Sequence, residues 1–226
     1  MEKNKTGKYL KYASGEIFLV VIGILIALSI NNWNEDRKNK HKARAYLAAI
    51  RTDLLQDLEE IESMSVWKER LKCFNEVFPN FELTEEIANL KLSDTNCEIT
   101  YRIMFNQHQS FRSNTATFDA MISEGSAKLI SNKILFAKIQ RLYTFWNPAL
   151  LDVYNTARTE SSRLKYKWAH LVALNPKTSI AQTEDTALIA DLTIFFHKKR
   201  SYIRFVSSVE ELIGEIISEI DVELNK

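Results

Sequence analysis

Residues 15–35 read GEIFLVVIGILIALSINNWNE, and the reading of this stretch decides how the rest of the chain is built. From Ile17 to Ile30 it runs for fourteen residues without a charge, interrupted by Gly23 and Ser29 alone. A bilayer span needs about 20 apolar residues to cross about 30 Å of hydrocarbon, so the flanks must supply the difference. Tyr9, Leu10, Tyr12, Ala13 and Ser14 precede the run, and Trp33 follows it. Tyr9 to Trp33 is 25 residues, about 37 Å of helix. Tyr and Trp at the two ends match an interfacial aromatic belt. Glu16 lies at the amino-terminal edge, where headgroup water and the helix dipole tolerate a carboxylate.

The stretch is therefore read as a transmembrane helix, against two alternatives. A cleaved signal peptide would use Lys3, Lys5, Lys8 and Lys11 as its basic region and Ala27-Leu28-Ser29 as its cleavage site. Arg37, Lys38, Lys40, Lys42 and Arg44 would then crowd the exported side of the cut, a poor arrangement for export. A buried core helix would show a polar face, and Ile17–Leu28 shows none. Gly23 and Ala27 form a small-xxx-small pair, a feature frequent in any apolar helix.

The positive-inside rule is nearly balanced here. Four lysines and the terminal amine lie before the span, and five Lys/Arg lie in the fifteen residues after it. The orientation taken is a short cytoplasmic tail, with the bulk of the chain in the periplasm and the span in the inner (cytoplasmic) membrane. The basic run Arg37–Arg44 then has a ready role beside the bilayer, since each such charge is drawn to anionic headgroups by about 1 kcal/mol. The lipid bilayer is thus the first expected partner.

The run GEIFLVVIGILIALSINNWNE also resembles the amino-terminal signature of an uncharacterised family of single-span bacterial membrane proteins, common in Bacteroidota. The matching positions are Gly15, Glu16 and Ile17, and Asn31 to Glu35. Residues 111–135, FRSNTATFDAMISEGSAKLISNKIL, are similar to that family's more variable central segment. The resemblance implies a single-span architecture and carries no activity.

Beyond the anchor the periodicity is helical. Leu47, Ile50, Leu54, Leu58 and Ile61 recur at steps of three and four, with Arg51, Asp53, Asp57, Glu59 and Glu60 on the other faces. No Pro or Gly intervenes between Gly23 and Pro79, so the span is expected to run on into a long amphipathic helix ending near Phe78, stopped by Pro79-Asn80. Thr84–Leu90 reads as a short helix capped by Thr84; Glu98–Phe105 is open between extended and helical. Thr115–Glu124 is expected to be helical, with Phe118, Met121 and Ile122 inward and Gly125 as its end. Ser131-Asn132 opens a helix carrying Leu135, Ile139, Leu142 and Trp146, which restarts or kinks at Asn147-Pro148. It continues through Val153, Ala157, Leu164, Trp168 and Leu171 to Asn175-Pro176, and a polar run, Lys177–Asp185, follows.

The last helix has the clearest pattern. Leu188, Leu192, Phe195, Lys199, Tyr202, Val206, Val209, Ile213, Ile216 and Ile220 alternate steps of four and three, and Lys199 alone breaks the apolar stripe. Such a seam must be buried. The faces Leu47–Ile61 and Leu135–Leu171 are its expected cover, with a coiled-coil partner chain as the other reading.

The chemistry-bearing residues form no recognisable constellation. Five glycines cannot build a phosphate loop, and no serine stands in a nucleophile elbow. His41, His108, His170 and His197 lack ligands at helical metal spacing, and His41 and His197 sit among basic residues as surface groups. Cys73 and Cys97 are too few for a disulfide framework; Cys73 reads as a packing residue, and the two can pair if the domain is exported. Arg112, Asp119 and Glu124 share a segment and either line a site or are polar positions around a capped helix. Trp146, Trp168, Tyr143 and Phe145 read as core.

The expectation is therefore an all-α protein, with a basic tail and transmembrane anchor over residues 1–34 continuing into a helical bundle over 35–226. A formal charge of +1, from 30 Lys+Arg against 29 Asp+Glu, argues against nucleic acid as a partner. No catalytic, cofactor-binding or metal-binding residue is assigned, and no cofactor is expected. The functional expectation is a non-catalytic, membrane-anchored structural or interaction protein, with a homo-oligomer or another membrane protein as partner. The alternative is a membrane-tethered sensor that binds a small ligand between its helices, in a pocket near Trp146 and Trp168.

Overall fold

The computed structural model describes residues 3–79, 83, 85–89, 91, 97–105 and 111–226. The described residues are all-helical apart from loops and one isolated antiparallel bridge between Thr100 and Ser179. The long helix α1, Lys3–Glu62, carries the apolar stretch and then enters the bundle. From Ile17 to Ile30 its large apolar side chains lie open, Phe18 at 66% and Leu19 at 69%. This helix is long and apolar enough to cross a membrane. Among its described side chains, from residue 15 on, burial begins at Ala43 and continues through Leu47, Ile50, Leu54 and Ile61, the three-and-four spacing read from the sequence.

The expected single helix to Phe78 breaks once. α1 stops at Glu62, and α2, Ser65–Val77, restarts after a turn at Ser63-Met64. The Ser63 hydroxyl donates to the Glu60 carbonyl at 2.6 Å, a back-bond that bends helices, and Met64 N–H donates to Ile61 O at 2.9 Å. The bend turns Met64 and Trp67 into the core. Asn80 and Thr84, the expected stop and cap, lie outside the described residues. Between them and Gly125 come three short helices: α3 (Glu85–Ala88), α4 (Tyr101–Phe105) and α5 (Ala116–Ser123). Phe118 and Met121 of α5 are buried, but Ile122 is 43% exposed, because the short helix presents one face only. Gly125 ends it with φ +64°, a left-handed conformation that glycine adopts without strain.

α6, Lys133–Arg141, is capped as expected, the Asn132 side chain accepting from Leu135 N–H at 3.1 Å. A π-helical turn, Leu142–Trp146, links it directly to α7, Asn147–Lys167. After a break at Trp168, α8 (Ala169–Leu174) and a 3-10 turn lead to α9, Thr186–Leu224, which Asp185 caps by accepting from Ala187 and Leu188 N–H.

The whole stripe of α9 is buried, Lys199 included, and its cover comes from α1, α2, α6 and α7 of the same chain. This overturns the coiled-coil reading of that seam: Leu192, Phe195, Val209, Ile213, Ile216 and Ile220 are already fully buried, each contributing about 1.5–3 kcal/mol by leaving water. α9 runs antiparallel to α1, as the bidentate Arg51–Asp221 pair and the Arg44 guanidinium donating to the Leu224 carbonyl show. Asp191 ties α9 to the end of α7, accepting from Arg163 at 2.9 Å and from the Trp168 indole at 2.8 Å, with Lys167 Nζ at 2.7 Å. Trp168 therefore serves this junction. The Lys199 ammonium stands 4.2 Å from the centre of the Trp67 ring and 5.8 Å from that of Phe195. Burial, then the Arg70 charge, pushes its pKa down to about 8.

Cys73, read as a packing residue, is bonded to Cys97 in a disulfide with Cα atoms 4.9 Å apart. It fastens α2 to the segment before α4.

Candidate functional site

The polar centre of the bundle is built on α1. Asp53 and Asp57 lie one turn apart on it, and Asp57, placed by the sequence pattern on an outer face, is only 2% exposed. The reason is the irregular segment Phe111–Thr115, which is hydrogen-bonded to α1 at this point. Ser113 Oγ donates to Asp57 Oδ2 at 2.6 Å, and Asn114 N–H donates to Asp57 Oδ1 at 2.9 Å. The Asn114 amide donates to Asp53 Oδ1 at 3.1 Å, and Phe111 N–H donates to the Tyr202 hydroxyl oxygen of α9 at 2.9 Å. Burial pushes Asp57 up to about 6; the two hydrogen bonds oppose that rise, and the charges of Glu60 and Asp53 add to it.

The opposite wall comes from the π-helical turn. Pro148 has no N–H to give to the helix, and the turn accommodates it with Asn147 N–H donating to Leu142 O, five residues back. The α-helix restarts at Asn147 with Pro148 in its first turn, as expected, and one wide turn carries the chain into it without a gap. It directs Tyr143 inward, stacked on Phe118 with ring centres 4.5 Å apart, and leaves Phe145 53% exposed, a correction to its reading as core. Burial, then the charges of Asp57, Asp53 and Asp119, raises the Tyr143 pKa.

Between the segment and the turn lies an open cavity of about 520 Å³. Phe111, Pro148, Leu150 and Leu151 give it apolar walls; Arg112, Ser113, Thr115, Tyr143 and Asn147 supply polar groups. The Tyr143 hydroxyl and both amide atoms of Asn147 are buried and have no hydrogen-bond partner among the described residues, as has Asp53 Oδ2 behind the segment. These three atoms are sealed from solvent behind the cavity surface, an unusual state for buried polar groups, which are nearly always paired.

The cavity adjoins Trp146 in sequence but has no part of Trp168 in its wall. Of the other residues singled out from sequence, Arg112 lines it. Asp119 instead accepts from the Thr115 hydroxyl at 2.7 Å, and Glu124 pairs with Lys42 at 2.8 Å. His41 and His170 are exposed, while His197 is half-buried with Nδ1 3.1 Å from the Arg200 guanidinium; His108 lies outside the described residues. Among the described residues no three His, Cys, Asp or Glu side chains group as a metal site.

A family profile matches residues 16–200, from the apolar stretch of α1 to the middle of α9. The chain belongs to DUF6090, a family of unknown function. The match spans both the exposed helix and the cavity walls. No curated protein and no solved structure significantly matches the chain.

Sequence reasoning missed Tyr143, Asn147 and Asp57 as site residues. The available signals were an Asn-Pro pair inside a helix and a polar Arg-Ser-Asn-Thr run between aromatic residues.

Proposed function

We propose that this DUF6090 protein is a single-span, membrane-tethered sensor domain of the bacterial inner membrane. It binds a small ligand, without transforming it, in the cleft between the Phe111–Thr115 segment and the π-helical turn. The observation that carries the reading is the cavity of about 520 Å³ itself, with apolar walls and the polar residues Arg112, Ser113 and Thr115 among those that line it. Pockets of this size with an apolar lining and a few convergent polar groups are typical of small-molecule sites. The α9 seam lends no support to a partner chain, because α1, α2, α6 and α7 cover it.

The tether is supported by the all-round apolar, unburied surface of α1 from Ile17 to Ile30, whose exposure to water would be costly. The Cys73–Cys97 bond supports a bundle in the periplasm, since disulfides persist in oxidising compartments.

Two measurements test the proposal. Melting of the detergent-solubilised full chain against a metabolite collection should find compounds that stabilise the wild type and lose their effect on Tyr143→Phe and Asn147→Ala. A collection in which no compound acts through these residues overturns the ligand reading. Fractionation should leave the protein in membranes after alkaline washing; its release by such washing overturns the tether.

A further inference from the structure

We infer that α1, where it leaves the bilayer, carries a binding site for the phosphate of an anionic phospholipid, formed by Arg37, Lys38, His41 and Lys42. The inference rests on the tether reading above and deepens it, from diffuse attraction to a defined site. The four side chains line one concave surface together with Ala45. At 3.6 residues per turn they share a face of the helix. Of the acids that adjoin the basic run, Asp36 stands on the far side, in line with Ala43 and Leu47, whose side chains enter the bundle. Glu35 borders the face. Neither acid forms an ion pair with another described residue, and neither do Arg37, Lys38 and His41. On the other flank Arg44 is spent on the Leu224 carbonyl.

Both ends of the face are held in place. The Arg37 guanidinium stands 5.8 Å from the centre of the Trp33 ring. Lys42 pairs with Glu124, just past α5, at 2.8 Å and lies 5.9 Å from the centre of the Tyr46 ring. Glu124 thus spends the Lys42 charge and leaves Arg37 and Lys38 opposed by Glu35 at the edge. That balance suits a phosphodiester, which carries a single negative charge, and a guanidinium beside an ammonium is apt for its oxygens. Height selects the lipid. Trp33, 64% exposed, closes the apolar stretch at the depth where aromatic residues gather. Arg37 and Lys38 follow it by about 6–8 Å of helix. The headgroup layer is about 5–7 Å thick on each side, and both side chains are long enough to reach back to its phosphates. No break in α1 separates Trp33 from Lys42, so the height of the site is fixed by the span itself.

The test is native mass spectrometry of the detergent-solubilised full chain titrated with phosphatidylglycerol or phosphatidylcholine, with inorganic phosphate as competitor. One phosphatidylglycerol should be retained at least tenfold more tightly than phosphatidylcholine, whose headgroup carries no net charge. Arg37→Gln combined with Lys38→Gln, both on exposed residues, should erase that preference. Lys165→Gln combined with Lys177→Gln, equally exposed and outside the face, should keep it. Inorganic phosphate at the concentration of the lipid should not displace it. Equal retention of the two lipids, equal losses in the two double variants, or displacement by phosphate overturns the inference. If no preference is found in a chain that resists alkaline washing of membranes, the site falls and the tether stands. If a preference dependent on Arg37 and Lys38 is found in a chain that such washing releases, the site stands and the tether falls.

Discussion

The Asp57 carboxylate of α1 holds the Ser113 hydroxyl at 2.6 Å, across 56 residues of sequence, and so ties one wall of the cleft to the long helix behind it. Burial raises this carboxyl to about 6, well above the value near 4 of an unfolded aspartate. The folded state therefore binds a proton more tightly than the unfolded chain. Asp57 contributes its full stability below about pH 4 and loses it as pH rises through about 6, a total of about 3 kcal/mol. Asp57→Asn retains groups able to bond both Ser113 and Asn114 and should flatten this part of the curve. Chemical denaturation of both proteins at pH 5 and pH 7 checks it: the wild type should lose stability over the interval and the variant should not. Asp57→Ala, which orphans both partners, should cost about 2–3 kcal/mol.

Asp191 should behave in the opposite sense. Its burial pushes the carboxyl up, but hydrogen bonds from Lys167, Trp168 and Arg163 outweigh that and hold it at about 2. A depressed carboxyl stabilises above its unfolded value, and this contribution fades as pH falls from about 4 towards 2. Asp191→Ala should cost about 2 kcal/mol at neutral pH by leaving the Trp168 indole and the Lys167 ammonium without their acceptor, while Arg163 keeps Glu160. Acid unfolding should show the variant losing its disadvantage below pH 3.

Lys199 is a charge inside the α9 stripe, and its pKa is lowered to about 8. The wild type should gain stability as pH rises from about 8 towards 10, where the folded state releases its proton before the unfolded chain does. Lys199→Met keeps the length and removes the charge. It should be at least as stable as the wild type at pH 7, because replacing a buried ion by an apolar group is often neutral or stabilising by about 1–4 kcal/mol. Loss of the contact with Trp67 opposes this by up to about 2 kcal/mol. A variant less stable by more than that would show the ammonium to be a net stabiliser.

Reduction of Cys73–Cys97 should lower stability by about 3 kcal/mol, the loop-closure value for a separation of 24 residues. In intact cells, maleimide labelling of the denatured protein should require prior reduction. Labelling without reductant would place the bundle in a reducing compartment and contradict the proposed side of the membrane.

The parts of the fold legible in the sequence are those governed by residues close together in the chain. The Asn132 cap, the Gly125 stop and the stripe of α9 each depend on spacings of one to four residues, and each stands in the structure. The bend at Met64 was not legible, because Ser63 and Met64 are ordinary helix residues and only the inward packing of Trp67 requires the turn. The site was hidden for a stronger reason. Asp57 has the local pattern of a solvated position, and nothing in its own helix announces Ser113. The Asn147-Pro148 pair did signal a disturbance of the helix, but a π-helical turn and a break leave the same trace in sequence. Lys199 showed as an irregularity in the stripe, and the aromatic ring that receives it comes from a helix more than a hundred residues earlier.

The segment from Lys3 to Glu62 is one helix without a joint, about 90 Å of backbone. Asp57 near its far end and Trp33 outside the bundle ride on the same shaft. A guest that pulls the Ser113 segment towards or away from that shaft applies torque to all of it, with no intervening loop to absorb the motion. In the proposed placement, occupancy of the cleft would reach the lipid as a rotation or tilt of a rigid rod, and no second messenger within the domain would be needed.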